Sequence, residues 1–360
     1  MRIPRKLEHV HHALQLGQSG EQGFADIRIV PNCLPEASIN RICLQTVIGE
    51  LILSSPIIIN AMTGGAQETE AINRELAVAA RETGLAMAVG SQMAAIRHAD
   101  AASSYTVVRK INPDGIVFGN LGSEATLEQA ERAVEMIKAD ALQIHLNVMQ
   151  ELIMPEGDRQ FTGMLERIAL IAARVGVPVI VKEVGFGIAQ EGAAALLQAG
   201  VNVIDTGGSG GTNFAAIENA RRTAKLDWLN DWGCTTAVAL LEVLKAAHAQ
   251  QSSGGGDRSV SVIASGGIRS SLEIGKALIV GASAVGMAGA LLRVLQYEGT
   301  AALIERIDTF HQEIKLIMTA LGASSIAGLR QVPVVILGET AQWCGLRGVD
   351  IGMYARRNRI

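Results

Sequence analysis

ALQIHLNVMQE (Ala141–Glu151) begins as a short apolar run and ends in His145, Asn147, Gln150 and Glu151, with no loop punctuation among them. An apolar run of this length between turn signals reads as a buried strand. Polar residues at the C-terminal end of such a strand occupy the place where a parallel barrel carries its catalytic groups. His145 and Asn147 are two apart, so a continuing strand points them to the same side. Gln150 and Glu151 follow where the strand runs out, suited to an amide contact and to a carboxylate ligand for a hard cation. Each alone reads as an ordinary hydrogen-bonded strand-end residue. The cluster is what points to a site.

Outward from this stretch the same rhythm repeats. Pro56–Met62 runs into Thr63-Gly64-Gly65, Leu85–Val89 into Gly90-Ser91-Gln92, and Gly115–Phe118 into Gly119-Asn120-Leu121-Gly122. Beyond the central strand, Val177–Val181 leads to Lys182-Glu183-Val184-Gly185, and Val201–Ile204 to the loop Asp205–Thr212. Val260–Ala264 then leads to Ser265-Gly266-Gly267-Ile268-Arg269, and Ala282–Met287 to Ala288-Gly289. Helical patterns lie between most of them. In Leu127–Lys138 the positions Leu127, Ala130, Val134 and Ile137 share a face, and Thr126 with Gln129 forms a capping box. Eight strands alternating with helices over roughly 230 residues predict a closed (β/α)8 barrel. A doubly wound open sheet is the alternative, but its glycine fingerprint should follow the first strand, whereas here glycines follow nearly every strand.

The predicted organisation is an N-terminal arm and cap (1–55), a barrel (56–300) and a C-terminal helix and tail (301–360). Ile27–Leu53, broken by Pro31, Pro35 and Gly49, reads as a hairpin or cap, and Leu303–Leu321 as an amphipathic helix. The segment beyond it carries no readable chemistry. Gln250–Asp257 (QQSSGGGD) reads as a surface loop. Trp228 and Trp232 are either one apolar helix face or an aromatic cover over a ligand.

Aromatic residues make up 3% of the 360 residues and glycines number 39, so Ala, Val, Ile and Leu must build the core. The net charge of −4 gives no sign of nucleic-acid binding. Cys33, Cys43, Cys234 and Cys344 show neither paired nor zinc-like spacing and read as free thiols of a cytoplasmic protein. MRIPRKLEHVHHAL at the start lacks an apolar core of signal-peptide length. The longest uncharged run, Ala277–Leu292, falls short of the ~20 residues that span a bilayer. No membrane association is expected.

Backbone N–H groups at helix N-termini bind anions, and glycine lets a phosphate approach closely. Ser265–Ile268 and Met287–Gly289, on consecutive strands, sit where many barrels hold phosphate. The Gly207–Thr212 loop adds further donors. Lys182, at a strand end, needs a partner and could lie beside the pyrimidine ring of a flavin. The small ends Met62-Thr63-Gly64, Ser91 and Asn120 leave room for a flat ring system. Together these residues suggest flavin mononucleotide (FMN). The basic start (Arg5, Lys6, His9, His11, His12) is either a solvated arm or a cationic clamp for a phosphorylated ligand.

RKxxH (Arg5–His9), NAMTGG (Asn60–Gly65), AVGSQ (Ala88–Gln92), NLG (Asn120–Gly122), QIHLNxxQE (Gln143–Glu151), KEVGFG (Lys182–Gly187), GGTNF (Gly210–Phe214) and ASGGIR (Ala264–Arg269) together resemble the type 2 isopentenyl-diphosphate isomerase family. The resemblance implies an FMN-dependent barrel that interconverts isopentenyl and dimethylallyl diphosphate. It also implies reduced flavin, magnesium, NADPH as reductant and a homo-oligomer. By position, Met62, Thr63, Gly64, Ser91, Asn120, Lys182, Thr212, Gly266, Gly267, Ile268, Ala288 and Gly289 would hold FMN. Arg5, Lys6, His9, Asn147 and Gln150 would bind substrate, with Gln150, His145 and Lys182 also at the reaction centre and Glu151 on the metal. One departure is Gly207, where some members carry Ser, so a side-chain bond to the FMN phosphate is in question. The rival readings are a 2-hydroxy-acid oxidase, for which no His-Gly-x-Arg stretch is present, and a non-catalytic phosphate-binding barrel.

Overall fold

The computed structural model describes residues 20–252 and 259–357. Strand β1 (Ile27–Ile29) is followed by a hairpin of β2 (Thr46–Ile48) and β3 (Leu51–Leu53). The barrel strands are β4 (Ile57–Ile59), β5 (Ala86–Ala88), β6 (Val117–Gly122), β7 (Ala141–Leu146), β8 (Val179–Glu183), β9 (Val203–Asp205), β10 (Ser261–Ser265) and β11 (Ala284–Met287). They pair in parallel in chain order and close with β11 beside β4, as the eight sequence runs predict. A last strand, β12 (Val334–Ile336), pairs antiparallel with β1 and ties the two ends of the chain together.

Two main hydrophobic bodies hold the fold, beside a small cluster of Ile153, Phe186, Ala215 and Leu229. The larger lies between the strands and the surrounding helices. It takes in the Thr300–Leu321 helix through Leu303, Ile307, Phe310, Ile314 and Met318. The smaller fills the lower barrel, where Ile58, Phe118, Ile180, Val203 and Ile263 meet Ile48 and Leu53 of the hairpin. The hairpin therefore plugs the N-terminal end. Its Thr46 Oγ1 donates to the Ser283 carbonyl at 2.6 Å, and its Gly49 amide donates to Ser261 Oγ at 3.0 Å.

Side chains two apart on a strand share a face. The position two beyond each apolar plug residue is polar on five strands: Asn60 after Ile58, Asn120 after Phe118, Lys182 after Ile180, Asp205 after Val203 and Ser265 after Ile263. On β7 the series is Ala141, Gln143, His145. The barrel interior thus turns from apolar to polar towards the C-terminal mouth, although Asn60, Asn120, Gln143, Lys182, Asp205 and Ser265 are all buried.

Three local expectations change. Strand β7 ends at Leu146, and Asn147 precedes a short helix, Val148–Ile153, so Gln150 and Glu151 are helical and strand alternation stops before Asn147. The helix Thr236–Ser252 absorbs the start of the expected Gln250–Asp257 loop; residues 253–258 lie outside the described residues. Trp228 lies in a single 3₁₀ turn, Asp227–Leu229, with Trp232 beyond it, and both indoles are exposed, so they do not form one apolar helix face. The capping box at Thr126 forms: Gln129 N donates to Thr126 Oγ1 at 3.3 Å and Thr126 N to Gln129 Oε1 at 3.0 Å.

Candidate active site

A cleft opens at the mouth of the barrel and holds about 1020 Å³ of non-protein space, its open entrance included. The ends of β10 and β11 supply Gly266, Gly267, Ile268, Ala288 and Gly289 to its wall. Gly289 starts the helix Gly289–Glu298, whose first amides have no intrahelical acceptor. Among the described residues, the N–H groups of Gly266, Gly267, Ile268, Ala288 and Gly289 find no protein acceptor. Five donors without partners on one wall fit a phosphate group. Glycine is required here by close approach. At Gly266 (φ +119°) a Cβ would run into the Gly208 carbonyl, and at Gly267 (φ +70°) into that of Gly210. Gly207 (φ +51°) has the same constraint against the Glu183 carbonyl, so this backbone offers no side-chain donor there.

Met62, Thr63, Lys182 and Thr212 also line the cleft. Lys182 is buried, and its Nζ donates to the Glu183 carbonyl at 2.8 Å. Gly64, Ser91 and Asn120 stand behind the wall. Gly64 packs on the Tyr105 ring, Tyr105 donates its hydroxyl to the Ser91 carbonyl, and Asn120 bonds to His145. Arg5, Lys6 and His9 lie outside the described residues. Residues 20–22 are tied to the glycine wall, with Gln22 Nε2 donating to the Gly267 carbonyl at 2.6 Å and Arg269 Nη2 to that of Gly20 at 2.9 Å.

Glu183 also faces the cleft and was passed over in the sequence reading, which took only its neighbour Lys182 from the KEVGFG motif. Its Oε2 accepts the amides of Val184, Gly185, Phe186 and Gly187 at 2.7, 2.8, 2.6 and 3.2 Å. Burial pushes this carboxyl up to about 7, outweighing the pull of those amides and of Lys182.

The polar cluster after β7 divides into two arms. Gln150 is buried, and its Nε2 donates to Glu218 Oε1 at 3.0 Å. Glu218, fully buried on the helix Phe214–Ala220, is paired with Arg221 at 2.6 Å, and Arg221 with Glu156 at 2.7 Å. Glu218 escaped the sequence reading; its only signal is a carboxylate within the otherwise uncharged stretch FAAIENA. The second arm is Glu151, which accepts from Asn147 Nδ2 at 3.0 Å and from the Asp158 amide at 2.8 Å. Nearby Glu124 has its carboxyl raised by burial, with Glu151 and Asp158 adding to the shift. Among the described residues no group of three His, Cys, Asp or Glu side chains could hold a metal.

The chain matches the family of FMN-dependent dehydrogenases over residues 77–335. An isopentenyl-diphosphate delta-isomerase of Geobacillus sp. (strain WCH70) is 52% identical over 357 residues, covering 99% of each chain. One from Bacillus licheniformis is likewise 52% identical over 357 residues, again covering 99% of each. Among solved structures, a mandelate oxidase with (S)-2-phenylpropionate aligns over 91% of this chain and 94% of its own, with a TM-score of 0.63 and 18% identity. That likeness speaks for the fold. Fold, glycine wall and family match together define an FMN-dependent barrel. Within that class, the chain belongs to the isopentenyl-diphosphate delta-isomerase family.

Proposed function

We propose that this chain interconverts isopentenyl diphosphate and dimethylallyl diphosphate with FMN bound in the cleft. The observation that carries the reading is the wall of five unpartnered amides in the cleft that Lys182 also lines. Identity of 52% over nearly the whole length to named isomerases supports the choice of reaction.

Moving the double bond requires a proton to be added at one carbon and removed from another. An alkene is a weak base, so the site must hold it rigidly and tolerate positive charge as it develops. When bound, reduced FMN supplies an electron-rich ring and a nitrogen that exchanges protons. The glycine amides would hold its phosphate, and Lys182 would set positive charge beside the ring. Gln150, fixed from behind by Glu218, would orient the alkene. His145 and Asn147, with Arg5, Lys6 and His9 of the arm, would hold the diphosphate, whose binding energy keeps the alkene in place. Met62, Val184, Phe214 and Leu292 give the cleft apolar wall that limits water. No helix among the described residues is long and apolar enough to cross a membrane. NADPH is the proposed reductant, and a cytoplasmic homo-oligomer the proposed setting.

Protein loaded with FMN, reduced, and given magnesium and isopentenyl diphosphate should form dimethylallyl diphosphate over many turnovers without consuming further reductant. The oxidised protein should be silent. Stoichiometric consumption of an electron acceptor would instead mark a hydroxy-acid oxidase. For the metal, Glu151→Gln should raise the magnesium concentration needed for half-maximal rate by about tenfold, leaving the flavin spectrum unchanged. Equal rates at limiting magnesium would remove Glu151 from the metal.

A further inference from the structure

Six polar side chains cross the barrel interior as one hydrogen-bonded chain. His145 Nδ1 lies 3.0 Å from Asn120 Oδ1, and Asn120 Nδ2 donates to Gln143 Oε1 at 3.0 Å. Gln143 Nε2 donates to Asn60 Oδ1 at 2.9 Å, and Asn60 Nδ2 donates to Asp205 Oδ2 at 2.7 Å. Ser265 Oγ closes the chain on the other Asp205 oxygen. Asn60, Asn120, Gln143 and Asp205 are all under 5% exposed.

The direction of the chain follows from its inner end. Asn60 turns its NH₂ to Asp205 Oδ2 and its oxygen away, towards Gln143. The backbone independently requires the same orientation, because the Ala61 amide donates to Asn60 Oδ1 at 2.9 Å. That oxygen can take only a donor from Gln143, which leaves Gln143 Oε1 to accept from Asn120. Asn120 Oδ1 is then what faces His145. An amide oxygen has no proton to give, so the ring nitrogen opposite must carry one.

We propose that Gln143, directed by Asn60 and Asp205, is a positioning residue for the isomerisation: through Asn120 it holds His145 with its ring proton on Nδ1. A proton that the neutral ring takes up is then added at Nε2. The ring can pass between its neutral and charged forms with no change in its bond to Asn120. Turning one amide would reverse this arrangement, and burial makes such a turn costly because it sets like groups face to face. Gln143 touches neither cofactor nor substrate in this account, which rests on the isomerase reading above.

The test is the ¹⁵N spectrum of the FMN-loaded protein labelled at histidine, at a pH where the His145 ring is neutral. There are seven histidines, and the His145 signals are found by their absence from His145→Gln. The parent should show His145 protonated at Nδ1 and not at Nε2. Gln143→Glu still offers Asn120 an acceptor and should keep that tautomer. Gln143→Met removes the acceptor, so it should give a mixture of tautomers and a kcat lower by about tenfold to a hundredfold, with KM changed much less. His145 protonated at Nε2 in the parent overturns the proposal, whether or not any variant folds. So does an unchanged tautomer in Gln143→Met. Loss of isomerase activity with the Nδ1 tautomer intact would count against the proposed function and leave the relay standing.

Discussion

Glu183→Ala should lower stability by at least about 3 kcal/mol and strip the protein of FMN. Four consecutive amides end on one oxygen of this side chain. Each buried donor left without an acceptor costs on the order of 1–3 kcal/mol. The turn they shape supplies Val184 and Gly185 to the cleft, so its loss is felt by the cofactor as well as by the fold. Glu183→Gln keeps an oxygen in that position and should retain FMN. It should also differ from the parent in pH dependence. The Glu183 carboxyl is raised from 4.5 to about 7 in the folded protein. As pH rises through this window the unfolded chain loses its proton first, so the parent loses stability, by about 3 kcal/mol in all. Denaturant unfolding at pH 5 and pH 7 checks both points. A parent and a Glu183→Gln variant with the same pH slope would contradict the assignment.

The second large effect is at Glu218, which holds Gln150 on one oxygen and Arg221 on the other. Glu218→Ala should cost about 3–5 kcal/mol, the usual penalty for removing one partner of a buried ion pair. It should also lower kcat by about a hundredfold, because Gln150 loses the contact that aims it. Glu218→Gln still accepts from Gln150 but turns an NH₂ group towards Arg221. It should therefore lose most of the stability term and only about tenfold in kcat. Thermal unfolding and steady-state kinetics on both variants separate the two contributions. An Ala variant that is destabilised but turns over normally would show that Glu218 holds the helix and does not position Gln150.

Much of this fold was legible because each barrel strand is an apolar run that stops at a polar or glycine residue, and that punctuation survives in the structure strand by strand. The glycine wall was legible for the same reason. The relay from Asp205 to His145 was not read, although its alternation is in the sequence: Ile58/Asn60, Phe118/Asn120, Ala141/Gln143 and Val203/Asp205 follow one pattern. The two-residue period runs inside the strands as well as at their ends. Glu218 and the β1–β12 pairing depend on contacts between segments 68 and more than 300 residues apart, which no local pattern encodes. The stop of β7 at Leu146 is marked only by Asn147, the N-cap of the helix Val148–Ile153, and a single asparagine also reads as the polar end of a strand.

The most direct test of the central claim is turnover of the FMN-loaded, reduced protein in heavy water with magnesium and isopentenyl diphosphate. Proton chemistry in this cleft predicts dimethylallyl diphosphate carrying deuterium, deuterium in the recovered isopentenyl diphosphate, and no net loss of reduced flavin. Reduced protein that forms neither the isomer nor the label would contradict it.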